Sequence, residues 1–481
     1  RIPWTTFDEI YSPKSIEKTV KFVKDIVSRF KDHEAVAGWI LSNEISLVKK
    51  ASNREEALNL LRAFTSTVRL LDQSHVISAG DYLESFMNET HNVAELIDYV
   101  GAHIYLYDSD PVRHSYLYAS LLELLSNGRT HPVVLEEFGF STHQFSEDSH
   151  AKFINDILYT AIAHEASGAL VWCFSDFIHE SEPPYEWRPL ELGFGLVRSD
   201  GTEKPAAKVF KRIAAEISKL EALGINTKFR RIVNSFIIAP FYLWKDYEFV
   251  WYKDAVTFNG IVRLLGTAYA LFSSASIPTS IVYELDIDKV KDAAKLVALP
   301  STILALATTW RKLLNFASDG VSIYASFVKG WGYMVAHHET STHLWSELFG
   351  VENALPAGSP GRILYGGVEL EFVKDFGYVR KGDKLSIYVP IPIYTYKARP
   401  VDATVIAYDN SGEPTIFVVR RNLGKVVLSL IPFEALMALK EIVDWESMHK
   451  LYASLAKEVG VQGPYISCLL YTSPSPRDRT R

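Results

Sequence analysis

Cysteine is nearly absent from this chain, which has only Cys173 and Cys468 among its 481 residues. These two residues cannot form a disulfide framework or a cysteine-based zinc site. The sequence also contains no Gly-x-Ser-x-Gly elbow, no Walker loop and no dinucleotide-binding glycine fingerprint. We therefore expect neither the serine-elbow type of hydrolase nor a nucleotide-binding fold.

A surplus of basic residues is missing as well. The 50 Lys and Arg against 57 Asp and Glu give a formal net charge of −7, whereas a nucleic-acid binder would have a basic face. The apolar stretch over residues 293–310 is interrupted by Lys295 and Pro300. It is therefore expected in a protein core rather than across a membrane, and neither nucleic acid nor a membrane is an expected partner.

Both ends of the chain look unlike those of a natural protein. The sequence opens at Arg1 in what already reads as a loop, so we expect the true start to lie upstream. For that reason the cellular location stays open, with the cytoplasm favoured. Residues 467–481 are rich in Pro, Ser and Arg and show no hydrophobic period. They are interpreted as a non-native tail.

Helical and strand patterns alternate through residues 1–220. Each short apolar run that lacks helical spacing is followed by an amphipathic stretch, which gives five β-α units. Such alternation predicts an α/β fold with a parallel sheet and right-handed crossovers. Five units are too few for a closed eight-stranded barrel, so this domain is expected to be a partial (β/α)8 barrel. The other units would precede Arg1.

The second domain, residues 221–466, is predicted to be another α/β unit. Short strand patterns and one amphipathic helix come first, and residues 361–430 then carry alternating runs separated by turn signals. This domain is therefore expected to have extra β-strands beside an α/β core.

Two apolar strands of the first domain end in a glutamate. Residues 38–44 end in Glu44, and residues 132–139 contain Glu136 and Glu137 just before a glycine turn. Because side chains alternate along a strand, Glu136 and Glu137 point to opposite sides, and Glu137 is the better candidate for the barrel mouth. Two carboxyl groups roughly 5–5.5 Å apart are what retaining glycoside hydrolysis requires.

Five segments resemble strands four, six, seven and eight, and the run from the last loop into the last helix, of the clan A β-glycosidases. The matching segments are Trp39-x-x-x-Asn43-Glu44, Gly101-Ala102-His103-Ile104-Tyr105, Glu137-Phe138-Gly139, Gly168-Ala169-Leu170-Val171-Trp172 and Gly195 to Pro205. The His-x-Tyr match is similar to the family 5 enzymes in particular. This resemblance covers roughly residues 1–220 and implies strands 4–8 of a TIM barrel.

The resemblance also implies a catalytic pair. Glu44 would be the acid/base and Glu137 the nucleophile of a double displacement that uses neither a metal ion nor an organic cofactor. The substrate would be a β-linked oligosaccharide or glycoside.

The same resemblance implies four substrate-binding residues. Asn43 would hydrogen-bond the sugar 2-hydroxyl, and Trp172 would be the stacking platform beneath the sugar at the cleaved bond. Tyr105 would hold an oxygen of the nucleophile, and His103 would line the same wall.

Four segments of the second domain carry a further resemblance: Val297-Ala298-Leu299-Pro300-Ser301, Trp310 to Phe316, Gly320 to Ser326 and Gly424 to Leu430. They resemble the flavodoxin-like, amidotransferase-like domain that follows the barrel in family 42 β-galactosidases and mediates trimer contacts there. An amidotransferase needs a cysteine nucleophile, and no cysteine lies between residues 221 and 467. Catalysis of that kind is therefore not expected. We interpret the domain as structural or as a site of homo-oligomer formation.

Sequence reasoning thus favours a retaining β-glycoside hydrolase that resembles β-galactosidases. An endo-β-mannanase or cellulase is the nearest enzymatic alternative. A non-catalytic carbohydrate-binding or assembly protein that keeps the barrel shape is the alternative from another class.

Overall fold

The computed structural model describes most of the chain. The described residues are 5–49, 51–82, 96–106, 111–128, 130–182, 185–224, 231–243, 258–329, 344–356, 359–439 and 445–461. Cys468 and the tail over residues 467–481 lie outside them. The chain divides into two compact units, the first extending to Arg231 and the second beginning at Ile232. No helix among the described residues combines the length and apolar character needed to cross a bilayer.

The first unit is an array of parallel strands. Its strands are β1 (Gly38–Ile40), β2 (Val76–Ser78), β3 (Asp81–Tyr82), β4 (Val100–Ile104), β5 (Val133–Phe138) and β6 (Gly168–Val171). All of the pairings β1–β2, β3–β4, β4–β5 and β5–β6 are parallel. Five consecutive stretches of chain therefore lie side by side in sequence order, because β2 and β3 belong to one stretch.

Helices lie between these strands, as expected for an α/β fold. They are α1 (Pro13–Phe30), α2 (Ile45–Val48), α3 (Arg54–Leu71), α4 (Pro111–Ser126), α5 (Glu147–Ala163) and α6 (Pro205–Ala222), with 3-10 turns at Phe7–Glu9 and Pro189–Gly193. Side chains cap three of the helices, because Ser12, Asn53 and Ser146 each accept a hydrogen bond from the backbone N–H three residues on. Caps of this kind satisfy amide groups that have no partner within the helix.

The outer strands of this array carry exposed apolar side chains. Ile40 on β1 and Leu170 on β6 are more than half exposed. By contrast, every residue of β4 is buried. Within the described residues, β1 pairs only with β2 and β6 only with β5.

The second unit contains a nine-stranded sheet. Its strands, in chain order, are β7 (Ser235–Ala239), β8 (Thr279–Tyr283), β9 (Leu296–Thr302), β10 (Ser322–Phe327), β12 (Arg362–Phe372), β13 (Lys384–Thr395), β15 (Thr404–Asp409), β16 (Pro414–Arg421) and β17 (Gly424–Ser429). The spatial order is β13-β12-β15-β16-β17-β10-β9-β7-β8. The half from β8 to β17 is parallel, and the half from β17 to β13 is antiparallel.

Helices and a small second sheet complete this unit. The helices are α7 (Phe258–Ser274), α8 (Ala307–Ser318), α9 (Phe433–Leu439) and α10 (Trp445–Val459), with 3-10 turns at Phe241–Leu243 and Glu284–Val290 and a π-helical turn at Leu344–Leu348. Strands β11 (Val351–Asn353) and β14 (Ala398–Pro400) form an antiparallel pair. Buried aromatic rings, among them Trp310, Phe327 and Phe349, pack edge-to-face in the core of this unit.

Candidate active site

Glu44 lies four residues beyond the carboxyl end of β1. Its backbone is in the left-handed region, with φ 49° and ψ 43°, and the short helix α2 begins at the next residue. The Glu44 N–H donates to the Gly80 carbonyl at 2.8 Å. This bond fixes the turn against the stretch that joins β2 to β3. Asn43, the preceding residue, has an exposed side chain.

Glu137 lies one residue before the end of β5, and two stretches of the array, β2/β3 and β4, separate β5 from β1. Its side chain is 18% exposed, close to the 22% of Glu44. One carboxylate oxygen of Glu44, one of Glu137 and a ring nitrogen of His103 all lie within 4.8 Å of one another. The two strand-end glutamates therefore face each other across a small space, with oxygens close enough to act on one bond.

His103 connects the two glutamates. Its Nδ1 lies 3.0 Å from Oε1 of Glu44 and 3.6 Å from Oε2 of Glu137. Its Nε2 lies 3.6 Å from Oε2 of Glu136. Burial alone would lower the pKa of His103, but interactions with Glu136, Glu44 and Glu137 outweigh it and raise the pKa to about 9. The imidazole is therefore a cation at neutral pH.

Tyr105 follows β4 and contacts the second glutamate directly. Its hydroxyl donates a hydrogen bond of 2.8 Å to Oε2 of Glu137. Burial raises the pKa of Glu137, while His103 and this hydroxyl act in the opposite direction. Burial and the charge of Glu137 together raise the pKa of Tyr105 far above its usual value. The tyrosine thus stays a hydrogen-bond donor over the whole working pH range.

Trp172 follows β6 and is half-buried. The backbone N–H of Trp172 donates to the Phe138 carbonyl at 2.8 Å, and Phe138 is the residue after Glu137. A Cβ on Gly139 would lie 2.3 Å from the Trp172 carbonyl oxygen, so only glycine permits these two chain segments to approach so closely. Four of the six predicted site residues thus follow strand ends, and His103 and Glu137 each lie one residue before the end of their own strand.

Glu191 is an acidic neighbour of this site that no sequence motif marks. It lies in the 3-10 turn Pro189–Gly193. Burial raises the pKa of Glu191, and the charge of Glu44 raises it as well, while a hydrogen bond with the Trp172 side chain lowers it. Its position depends on the path of the loop after β6, which local sequence patterns do not predict.

A buried ion pair holds that loop. Lys204 is 1% exposed, and its Nζ donates to Oδ1 of Asp176 and Oγ1 of Thr142, both at 2.7 Å. The same Asp176 oxygen accepts a hydrogen bond of 2.9 Å from the N–H of Gly195. Because a buried charge is costly without a partner, these contacts fix the loop that contains Glu191.

A metal ion would have one nitrogen and two oxygen ligands in this cluster, from His103, Glu44 and Glu137. The nitrogen is Nδ1, which carries a proton when His103 is a cation. A metal ion would have to displace that proton.

Comparisons with known proteins agree with this geometry at the level of the fold. No protein-family model and no curated protein sequence matches the chain. Among solved structures, an exo-β-1,4-mannosidase from Opitutaceae bacterium strain TAV5 is similar, with a TM-score of 0.74 and 18% identity over 95% of this chain and 79% of that one.

Two β-galactosidases are similar to a comparable extent. The cold-adapted enzyme from Rahnella sp. R3 has a TM-score of 0.68 and 14% identity, over 94% of this chain and 73% of its own. The enzyme from Bacillus circulans sp. alkalophilus has a TM-score of 0.65 and 15% identity, with the same coverage. At these identities the likeness establishes a shared α/β fold with parallel sheets.

Proposed function

We propose that this chain is a retaining β-glycoside hydrolase. The observation that carries the proposal is the approach of Glu44 and Glu137, with carboxylate oxygens within 4.8 Å of each other. Retaining glycosidases need carboxyl groups about 5–5.5 Å apart, whereas inverting enzymes leave roughly 6.5–9.5 Å for a water molecule. The spacing supports direct attack by one carboxylate on the sugar.

The reaction takes two displacements. In the first, the Glu137 carboxylate attacks the anomeric carbon, the glycosidic bond breaks, and Glu44 gives its proton to the leaving oxygen. In the second, Glu44 takes a proton from water while the water oxygen attacks the anomeric carbon and releases Glu137. Each residue returns to its starting protonation state.

The surrounding side chains have defined tasks in this scheme. Tyr105 and His103 both act on Glu137, the first through a hydrogen bond and the second through its charge. Trp172 offers a ring surface for the apolar face of the sugar. Asn43, which is exposed beside the acid, would bind the 2-hydroxyl, an interaction that strengthens in the transition state.

A β-galactoside is the substrate that we propose first. The β-galactosidases among the similar structures and the resemblance to family 42 enzymes support it. A β-mannoside is the second candidate, which the similarity to an exo-β-1,4-mannosidase supports. Parallel assays with 4-nitrophenyl β-galactoside, 4-nitrophenyl β-mannoside, mannan and cellulose separate these exo-acting candidates from an endo-acting mannanase or cellulase.

Glu137→Gln tests the assignment of the enzyme class. We expect kcat/KM for the preferred aryl β-glycoside to fall by about 10³-fold or more, because the amide cannot form the glycosyl ester. Glu182→Gln is a matched control, since that glutamate side chain is 65% exposed, and it should behave like the wild type. Unchanged turnover in Glu137→Gln would reject Glu137 as the nucleophile, whereas binding of β-glycosides without turnover by the wild type would favour the non-catalytic alternative.

For the first unit we propose a barrel whose remaining strands cover the edges of β1 and β6. The exposed Ile40 and Leu170 on those strands support this arrangement, because long apolar edges are normally paired or covered. Hydrogen exchange would test it in a protein that includes any upstream coding sequence: the amides of β1 and β6 should become more protected.

For the second unit we propose a structural role in a homo-oligomer. The parallel half runs in the order β8-β7-β9-β10-β17, which is the 2-1-3-4-5 order of flavodoxin-like sheets. Within the described residues, β13 is an edge strand of the sheet, and Tyr365, Tyr388 and Ile391 are exposed on β12 and β13. Light scattering should give a molar mass that is a multiple of the 54.2 kDa chain mass. Tyr388→Glu should lower this measured mass towards that of a single chain.

A further inference from the structure

Glu136 is a buried acid that the proposed reaction does not use. It precedes Glu137 on β5, and its side chain is 1% exposed. The alternation expected from the sequence is wrong here: the register between β4 and β5 shifts at this point, and the carboxylates of Glu136 and Glu137 both approach the His103 imidazole. Its carboxylate lies directly against β4, since a Cβ on Gly101 would come within 2.1 Å of its Oε2. Gly101 therefore creates the space that this carboxylate fills.

The oxygens of Glu136 have no hydrogen bond of ordinary geometry among the described residues, and Tyr99 is the hydroxyl that interacts with this carboxylate. The cationic group near them is the His103 imidazole, with Nε2 at 3.6 Å from Oε2. A buried carboxylate that lacks both hydrogen bonds and a counter-ion is strongly unfavourable. A proton on Nε2 of His103 is therefore what turns this contact into a favourable one for the buried Glu136 side chain.

The position of the protons on His103 determines whether its contact with Glu136 is attractive or repulsive. A neutral imidazole carries one proton, and with that proton on Nδ1 facing Glu44, Nε2 would turn a lone pair towards Glu136. A lone pair and a carboxylate repel each other at this distance. With the proton on Nε2 instead, the lone pair of Nδ1 would face Oε1 of Glu44 at 3.0 Å. Both nitrogens face a carboxylate oxygen without repulsion only when both carry a proton, so the arrangement Glu44–His103–Glu136 favours the imidazolium form.

From this geometry we propose that Glu136 is a positioning residue for the proposed glycosidase. It keeps His103 protonated on both nitrogens, so that Nδ1–H continues to donate to Glu44 and a positive charge stays beside Glu137. The inference rests on the proposed function only for its catalytic consequence. The protonation of His103 can be measured without any substrate.

Other groups around the imidazole are consistent with this role. Glu44 faces it from the end of β1 and Glu137 from β5, while Tyr105 extends from β4 to Glu137. Tyr99, which precedes β4, lies next to Glu136, and burial together with this carboxylate raises the Tyr99 pKa. Both tyrosines are neutral at working pH, so the described groups around His103 are three acids and no second cation.

The test is a pH titration of His103 by NMR in wild-type protein and in Glu136→Gln. Histidine labelled with ¹³C and ¹⁵N reports both the pKa and the tautomer, and the loss of signals in His103→Gln assigns them. We expect wild-type His103 to remain an imidazolium at pH 8, and its pKa in Glu136→Gln to fall by about one unit or more. His164, paired with Glu123 at 2.7 Å, is an internal control whose titration should not change.

Catalysis provides the second readout. At pH 8 a fall of one unit from a His103 pKa of about 9 leaves about half of the variant's imidazoles protonated, so kcat/KM of Glu136→Gln should fall about twofold or more relative to the wild type. The loss should shrink towards pH 6, where the variant's His103 regains its proton. A purely structural role would lower activity equally at both pH values. Glu136→Asp keeps the charge, so it should restore part of both the His103 pKa and the activity at pH 8.

Each outcome decides the inference. An unchanged His103 titration in Glu136→Gln, or a neutral wild-type imidazole at pH 7, overturns it even if glycosidase activity is present. The expected titrations in a protein that hydrolyses no β-glycoside would support the role of Glu136 and reject the proposed function instead. If Glu136→Gln does not fold, the same titration in Glu136→Asp decides, because its shorter side chain should still lower the His103 pKa measurably.

Discussion

The hydroxyl of Tyr105, which follows the neighbouring strand β4, donates a hydrogen bond of 2.8 Å to Oε2 of Glu137. Burial raises the pKa of Glu137, and this hydrogen bond limits the rise. In the proposed reaction Glu137 must be ionised to act as nucleophile, so we expect activity to be lost as pH falls through this raised pKa. The tyrosine thus influences the acid limb of the pH–rate profile.

Tyr105→Phe should move that acid limb to higher pH. Removing the donor raises the Glu137 pKa further, and we expect kcat/KM at the optimum to fall about 10- to 100-fold, the value of a hydrogen bond to a charged group. Tyr159→Phe is a matched control, because Tyr159 also donates to a glutamate, Glu216, at 2.6 Å on the surface. An acid limb that stays in place in Tyr105→Phe would refute the contact's role.

Glu44→Gln should discriminate between leaving groups. The more basic the departing oxygen, the more the reaction depends on a proton from the acid. The leaving oxygen of a disaccharide is a basic sugar hydroxyl, so kcat/KM for a disaccharide should fall by about 10²–10⁴-fold. A dinitrophenyl glycoside, whose leaving group departs without a proton, should lose much less in the first step. Equal losses for both substrates, measured by initial rates, would mean that Glu44 is not the acid.

Trp172→Ala should weaken substrate binding more than it slows chemistry. Loss of a stacking surface for the sugar should raise KM about tenfold, given an aromatic contact of about 1–1.5 kcal/mol. Glu191→Gln should produce a smaller change in the same direction, because the hydrogen bond to Trp172 is retained in weaker form. Trp187→Ala removes an exposed ring from the same loop and should leave KM for a monosaccharide glycoside unchanged.

Asp72 should matter for stability rather than for catalysis. It is buried, and its carboxylate accepts hydrogen bonds from Trp39 at 2.8 Å, His75 at 2.7 Å and Ser74 at 2.8 Å. These donors outweigh burial and hold its pKa below the usual value. The stabilisation is therefore complete above the ordinary aspartate pKa of about 4 and is lost as pH falls below it.

Asp72→Ala should lower the free energy of unfolding by about 1–3 kcal/mol at pH 7, because it leaves buried donors without a partner. Urea denaturation measures the change. Asp25→Ala, which removes a half-exposed helical ion pair with Arg29, should have little effect. Equal stability of the two variants would contradict the structural role given to Asp72.

Local patterns were sufficient for several elements of the fold. The amphipathic stretch of residues 54–71 predicts the helix found at Arg54–Leu71, because a polar cap and a regular apolar stripe specify both its start and its face. The strand-end glutamates follow in the same way from apolar runs that stop at Glu44 and Glu137. That both glutamates lie in one site follows from the rule that the carboxyl ends of parallel strands lie at the same edge of a sheet.

The contact between His103 and Glu136 could not be predicted in that way. The register between β4 and β5 shifts after Ala102, so that Ala102 pairs with Leu135 but His103 pairs with Glu137. No residue pattern in either strand predicts this register shift. The shift determines which carboxylate lies next to each ring nitrogen of His103. Glu191 was missed for a related reason, since its position depends on the loop anchored by the buried Lys204.

The most direct test of the central claim is to trap the glycosyl-enzyme with a 2-deoxy-2-fluoro-β-glycoside that has a good leaving group, followed by peptide mapping by mass spectrometry. We predict a single added sugar on the peptide that contains Glu137, attached through that carboxylate. A sugar on any other residue would contradict the assignment of the nucleophile. Turnover that gives the α-anomer as the first product would contradict the double displacement itself.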